Sequence, residues 1–137
     1  MKNRRALVGA AGLVLAIIAV VAIYSITSAQ APMKLIISVT DKGIVVSPRD
    51  LMGGDYSVVV KNTTSKRRGI ELTGLDKGGS TYVRYSKIVA KGKSDVFRWY
   101  FPSGETAFVK DVLRCEHAQR GCVIVTFGGM KTAVHFR

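Results

Sequence analysis

The uncharged apolar run at residues 6–26 constrains this chain more than any other feature, because it divides the chain into two unlike parts. The run contains 21 residues, most of them Ala, Leu, Ile and Val, and it has no proline. As a helix it would be about 31 Å long, and the hydrocarbon core of a bilayer is about 30 Å thick. The run therefore predicts one N-terminal transmembrane helix, followed by a separate domain over residues 32–137.

The flanks of this run predict its orientation. Three basic residues and no acidic residue precede it: Lys2, Arg4 and Arg5. This bias places the N-terminus in the cytoplasm and the domain outside, in the periplasm or at the cell surface. Residues 1–31 act either as a retained signal-anchor or as a cleaved signal, and Ala29-Gln30-Ala31 has the form of a cleavage site. A third reading makes the apolar helix the assembly element of an extracellular filament.

The period of the pattern changes to two after Pro32, which is typical of β-strands. Eight or nine short strands are expected, at residues 35–40, 44–46, 56–61, 70–72, 82–89, 97–101, 106–113, 123–127 and 131–136. Gly128-Gly129 fits a two-residue hairpin turn between the last two. No later window has a helical period, so residues 32–137 predict an all-β sandwich.

Two details of the pattern make predictions about side chains. Phe97, Trp99 and Phe101 alternate with polar residues, so this aromatic stripe is expected to face the core. His135 alternates with Val134 and Phe136, so it is expected to lie on the surface.

The order of several short motifs resembles the cupredoxin family. These motifs are IVVSPRDL at 44–51, GDYSVVVKNT at 54–63, FPSGE at 101–105, and the stretch from Cys115-Glu116-His117 to Gly121-Cys122. The resemblance covers most of residues 34–127. It implies a Greek-key β-sandwich, preceded here by the transmembrane helix.

The same resemblance implies that the usual copper centre is incomplete. A blue-copper site uses two imidazoles, one thiolate and a weak axial sulfur. The first histidine is expected shortly after Asn62, where Arg67 and Arg68 stand instead, and Cys122 takes the position of the methionine. We therefore expect a copper-less domain without a cofactor. The alternative is a copper-binding electron-transfer or copper-delivery protein.

The two cysteines, Cys115 and Cys122, allow two kinds of chemistry. An exported domain lies in an oxidising compartment, where two cysteines usually form a disulfide. Closing this eight-residue loop would stabilise the fold by about 2.5 kcal/mol. In the alternative, Cys115, His117 and Cys122 bind a metal, although a closed zinc site would need a fourth ligand.

The charge of the chain predicts its partners. Lys+Arg is 21 and Asp+Glu is 9, which gives a net charge of +12. The candidate contacts with an acidic membrane protein or with lipid form two clusters, Lys66, Arg67 and Arg68 in one and Lys87, Lys91 and Lys93 in the other. Export argues against a nucleic-acid partner.

The sequence also contains a glycosylation sequon, Asn62-Thr63-Thr64.

The sequence contains no recognisable nucleophile motif, so we do not expect an enzyme. The sequence predicts an accessory, structural subunit of a hetero-oligomeric membrane assembly, held in the lipid by residues 6–26.

Overall fold

The computed structural model describes residues 30–75, 78–118 and 121–137, except for the side chains of residues 117, 118, 121 and 123. The predicted transmembrane helix at residues 6–26, with its alternatives of cleavage and filament assembly, lies outside the described residues. Within the described ranges, no helix has the length and apolar character needed to cross a bilayer.

The described residues form two four-stranded β-sheets. The strands are β1 (Met33–Thr40), β2 (Gly43–Ser47), β3 (Gly54–Asn62), β4 (Gly69–Leu75), β5 (Thr81–Tyr85), β6 (Ser94–Phe101), β7 (Thr106–Ala118) and β8 (Gly121–His135). Their orders are β2-β1-β3-β6 and β5-β4-β7-β8. The predicted all-β fold with two sheets is therefore confirmed.

The pairing of the strands determines which residues meet at each end of the sheets. β1 pairs antiparallel with β2 but parallel with β3, so that Met33 lies beside Tyr56 and Val39 lies beside Asn62. In the second sheet, Gly69 at the start of β4 lies beside Val112 of β7. β7 continues past Val112 to Ala118, and over this part it pairs only with β8.

The core is built by the period-two alternation that the sequence contains. Leu35, Ile37 and Val39 of β1 are at most 1% exposed, because alternate residues of a strand point to the same face. Tyr56 packs edge-on against Phe101 and Phe136, with ring centroids 5.6 and 5.7 Å away. These rings fill one end of the core.

The aromatic stripe of β6 faces inward, as predicted. Phe97 and Phe101 are buried and Trp99 is half-buried against the core. His135 is exposed between buried Val134 and Phe136, which confirms its predicted surface position.

The predicted hairpin turn at Gly128-Gly129 is wrong. β8 is one strand from Gly121 to His135, and its partner is β7 throughout. Lys110 pairs with Lys131 and Val112 pairs with Phe127, so residues 128–130 all lie opposite Asp111. The glycines therefore belong to a β-bulge, in which extra residues of one strand are accommodated without a reversal of the chain.

The strand predicted at residues 82–89 is also shorter than expected, because β5 ends at Tyr85. Ser86 then bonds back to β4, where its hydroxyl accepts a hydrogen bond from the Ile70 N–H at 2.8 Å. The following residues leave the sheet, and only Val89 returns to form a single bridge with Arg68.

Candidate interaction site at the basic end

Asn62 joins the two basic clusters into one surface. Its side-chain amide donates hydrogen bonds to the Lys66 carbonyl at 2.7 Å and to the Val89 carbonyl at 2.8 Å. Its backbone N–H donates to the Lys93 carbonyl, and its own carbonyl accepts from the Gly92 N–H. Two loops that are far apart in sequence are therefore held on either side of one buried residue.

Asn62 is fully buried, with 0% of its surface exposed. Its Oδ1 accepts hydrogen bonds from both the backbone N–H and the hydroxyl of Thr64. The side-chain amide of Asn62 is therefore buried and hydrogen-bonded within the domain, so it is not accessible for glycosylation.

Five exposed cations lie on the two loops that Asn62 joins. We define the basic end by these residues, Lys66, Arg67, Lys87, Lys91 and Lys93. None of their charged groups forms an ion pair with a carboxylate in the described part of the chain. Arg67 instead donates a hydrogen bond to the Ile88 carbonyl, which bridges the two loops a second time.

Arg68 differs from its neighbours because it points into the domain. Its Nη1 forms an ion pair with Asp111 Oδ2 at 2.6 Å, and the Asp111 side chain is 0% exposed. The other Asp111 oxygen accepts a hydrogen bond from the Met130 N–H at 2.7 Å. Arg68, a predicted partner contact, is therefore occupied by a structural ion pair.

This ion pair explains why a glycine occupies position 128 in the bulge of β8. A Cβ atom on Gly128 would overlap Asp111 Oδ2 and Arg68 Nη1. The absence of a side chain at residue 128 thus provides the space in which the buried carboxylate meets its cation. Sequence reasoning overlooked Asp111, although Ala107, Val109 and Asp111 share the inward face of β7, and a carboxylate on such a face requires a partner.

The two cysteines form the predicted disulfide. Cys115 and Cys122 are bonded across β7 and β8, with their Cα atoms 5.2 Å apart. The bond lies in the part of the hairpin beyond Val112 and Phe127, and we call residues 113–118 and 121–126 the hairpin arm. This arm starts at the basic end, because Val112 pairs with Gly69.

The disulfide bears directly on the metal alternative. The thiolate is the form of cysteine that binds a metal, and neither bonded sulfur is a thiolate. Cys115, His117 and Cys122 could act as ligands only after reduction of the bond. The backbone pairs His117 with Cys122, but the His117 side chain lies outside the described residues. The described residues contain no group of three or more His, Cys, Asp or Glu side chains placed to hold a metal.

A second polar network lies on the outer face of the β4–β7 sheet. The Tyr85 hydroxyl donates to Glu71 Oε2 at 2.7 Å, and Lys110 Nζ lies 3.7 Å from Glu71 Oε1. Burial and the Glu71 carboxylate together raise the pKa of Tyr85 to about 12. The network therefore extends the pH range in which the Tyr85 hydroxyl stays protonated, and able to donate to Glu71, further into the alkaline region.

A third polar group lies at the end of the domain opposite to the basic end. Glu105 is 5% exposed, and its Oε1 accepts a hydrogen bond from the Leu75 N–H at 2.7 Å. Its Oε2, the Tyr82 hydroxyl and the Trp99 Nε1 are buried without a hydrogen-bond partner among the described residues. Burial raises the pKa of Glu105, and burial together with the Glu105 charge raises the pKa of Tyr82.

A groove of about 320 Å³ separates the free edges of β2 and β8. Its lining includes Ile44, Val46, Thr132 and Val134, with the charged side chain of Arg49. Sequence reasoning did not anticipate this groove, because it depends on which two strand edges the fold brings together.

Comparison with known proteins leaves the chain without an assigned family. No protein-family model matches it, and no curated protein matches it.

Proposed function

We propose that this chain is a membrane-anchored accessory subunit that docks on a larger membrane assembly outside the cytoplasm. Residues 6–26 hold it in the lipid, and the β-domain contacts an acidic membrane protein. In this proposal the domain has a structural role and performs no reaction of its own.

We further propose that the domain has a cupredoxin-like Greek-key fold. The strand orders support this proposal, because the connections β3–β4, β5–β6 and β6–β7 all pass from one sheet to the other. Connections that pass between the two sheets occur in β-sandwiches with Greek-key connections. The motifs that carry the resemblance fall on β2, β3, the turn after β6, and the hairpin arm.

One observation carries the docking function: the basic end displays charges that the domain itself leaves uncompensated. At the same end, the residues at the positions that the resemblance assigns to copper ligands form other bonds. Arg68 is paired with Asp111, and Cys115 is bonded to Cys122. A surface of fixed positive charge attracts an acidic partner and raises the rate of association.

Co-purification from native membranes tests this function. The tagged full-length chain would be extracted in a mild, uncharged detergent at low salt, and bound proteins would be identified by mass spectrometry. We expect a membrane protein to be recovered in stoichiometric amount and to dissociate at high salt, because screening weakens exposed ion pairs. A stable monomer with no stoichiometric partner at low salt would contradict the proposal.

A further inference from the structure

We infer that the basic end, with the adjoining hairpin arm, binds a carboxylate-rich segment of a partner protein rather than the lipid in which residues 6–26 are proposed to be anchored. This inference rests on the proposed function, since it names the surface and the chemistry of docking. It is argued from four features of the described residues.

The first feature is the pre-organisation of the surface. The carbonyls of Lys66, Val89 and Lys93 all accept hydrogen bonds from Asn62. The backbones that carry the cations are therefore ordered before any partner arrives. The cost of binding then comes mainly from ordering the side chains, which favours association.

The second feature is the balance of charge at this end. Lys42 and Lys61 add two exposed cations near the ends of β1 and β3. The nearby acids are few: Asp41 in the β1–β2 turn, Asp95, which accepts a hydrogen bond from the Lys87 N–H, and Glu116, which pairs with Arg114 on the arm. Cations remain in clear excess, so this end of the domain attracts carboxylates or phosphates from other molecules.

The third feature is the direction of β1. The chain enters β1 at Met33, and the basic end lies beyond the other end of this strand, where Val39 pairs with Asn62. β1 has eight residues, so its first and last residues are about 23 Å apart. A tether that enters the domain at Met33 is therefore attached at the end of the domain that lies away from the basic end.

The fourth feature is the apolar surface of the hairpin arm. Ile124 is 53% exposed, and Phe127, where the arm begins, is 42% exposed. Beyond Val112, the edge of β7 that faces away from β8 has no strand partner in the described ranges. Apolar side chains surrounded by charged ones are typical of protein interfaces, so the exposed Ile124 and Phe127 offer a partner protein an apolar contact beside the cations.

Zero-length crosslinking tests the inference with a defined probe. The full-length chain in an uncharged detergent would be mixed with poly-L-glutamate and treated with a carbodiimide, which couples a lysine amine to a carboxylate in contact with it. Mass spectrometry would then locate the coupled lysines. We expect coupling at Lys66, Lys87, Lys91 and Lys93, and little coupling at the exposed Lys34 and Lys131.

Two variants with equal loss of charge measure the affinity. One is Arg67→Gln/Lys91→Gln/Lys93→Gln at the basic end, and the matched control is Arg49→Gln/Lys34→Gln/Lys131→Gln elsewhere. Since exposed ion pairs contribute modestly, we expect about a tenfold weaker affinity for poly-L-glutamate in the first variant. In the control we expect a change of less than about threefold, from the lower net charge alone. Equal losses in both variants, or coupling spread over all lysines, would overturn the inference.

Nanodiscs containing the full-length chain distinguish lipid from protein as the partner. Amine-reactive labelling of Lys91 and Lys93 would be compared between phosphatidylcholine discs and discs with one third phosphatidylglycerol. We expect equal labelling in both. Protection confined to the anionic discs would assign the surface to lipid instead and overturn the inference. If poly-L-glutamate binds at the basic end but no partner is recovered from native membranes, the inference about this surface stands. Only the proposed function is then rejected.

Discussion

At the scale of single residues, adjacent basic side chains have opposite roles. Arg67 is exposed, whereas the side chain of Arg68 is 14% exposed and paired with a carboxylate that water does not reach. A buried pair of this kind gains little net free energy over apolar residues, but removing one partner leaves a charge without compensation. Arg68 and Asp111 are therefore expected to depend on each other for their contribution to stability.

Asp111→Asn should lower the free energy of unfolding by about 3 kcal/mol, because the Arg68 guanidinium loses its counter-charge in a buried position. Denaturant unfolding of the full chain in an uncharged detergent would measure this loss, followed by the fluorescence of Trp99, the single tryptophan. Arg114→Gln, which removes the exposed pair with Glu116, is the control and should cost less than about 1 kcal/mol. The double variant Arg68→Met/Asp111→Asn should lose less free energy of unfolding than the sum of the losses in the two single variants. Strictly additive losses would argue against coupling between Arg68 and Asp111.

Glu105 gives the domain a predictable dependence on pH. Burial raises the pKa of this carboxyl in the folded state, so the folded chain holds the proton more tightly than the unfolded chain. The stability from Glu105 is therefore complete below the pKa of an unfolded glutamate, and it is lost as the pH rises through the raised folded value.

Glu105→Gln should remove this loss, because the amide oxygen still accepts from the Leu75 N–H and no charge has to be buried. Thermal unfolding of variant and wild type across the acidic and neutral range would give the difference in stability. We expect the stability of the variant to increase relative to that of the wild type as the pH rises. A difference that does not vary with pH would show that Glu105 titrates as it does in the unfolded chain.

At the scale of elements, the β7–β8 hairpin is the distinctive part of the fold. Its strands have 13 and 15 residues, longer than the other strands, and only part of β7 is covered by β4. The disulfide lies in the uncovered part, the hairpin arm, which is beyond the last pair between β4 and β7. We infer that the bond holds the arm in the hairpin conformation.

Cys115→Ser/Cys122→Ser should lower the free energy of unfolding by about 2.5 kcal/mol, the chain-entropy value for a loop of this length. Amide hydrogen exchange should at the same time become faster in the arm and stay unchanged in β1 and β3. Reduction of the wild-type chain serves as the control and should reproduce both effects. Unchanged exchange in the arm would mean that strand pairing alone maintains it.

At the scale of the whole molecule, the two ends of the domain differ in character. The chain enters at Met33, near the aromatic cluster of Tyr56, Phe101 and Phe136. The opposite end carries the cations and the arm. The domain is thus polarised along its strands, which suits a subunit that is tethered at one end and contacts a partner at the other.

A retained anchor predicts that the chain stays with membranes after alkaline extraction and leaves them only in detergent. Intact-mass analysis of the extracted chain should then include residues 1–31 and show a mass lower by two hydrogen atoms, because of the disulfide. An alkaline-soluble chain that begins after Ala31 would instead identify a cleaved signal, although the domain would be exported in either case.

The sequence by itself determined the class of the fold, and it favoured the bond in the arm over a metal site. Period-two alternation dictates a sheet with one buried face wherever it occurs, so the alternation alone assigns Leu35, Ile37 and Val39 to the core. The disulfide was predicted from the expected oxidising compartment and from two cysteines close together in the chain. Both inferences need only local pattern and chemistry.

Only the tertiary structure decided which cations are free and where the last strand runs. Lys66 and Lys91 belong to one surface because Asn62 bonds both loops, and no local pattern reveals such a contact. Arg68 turns inward because Asp111, 43 residues away, lies on the apolar face of β7. Gly128-Gly129 had the form of a turn, yet β7 and β8 stay paired on both sides of it, and it forms a bulge beside that ion pair. Contacts between residues distant in sequence outweighed local preference at each of these positions.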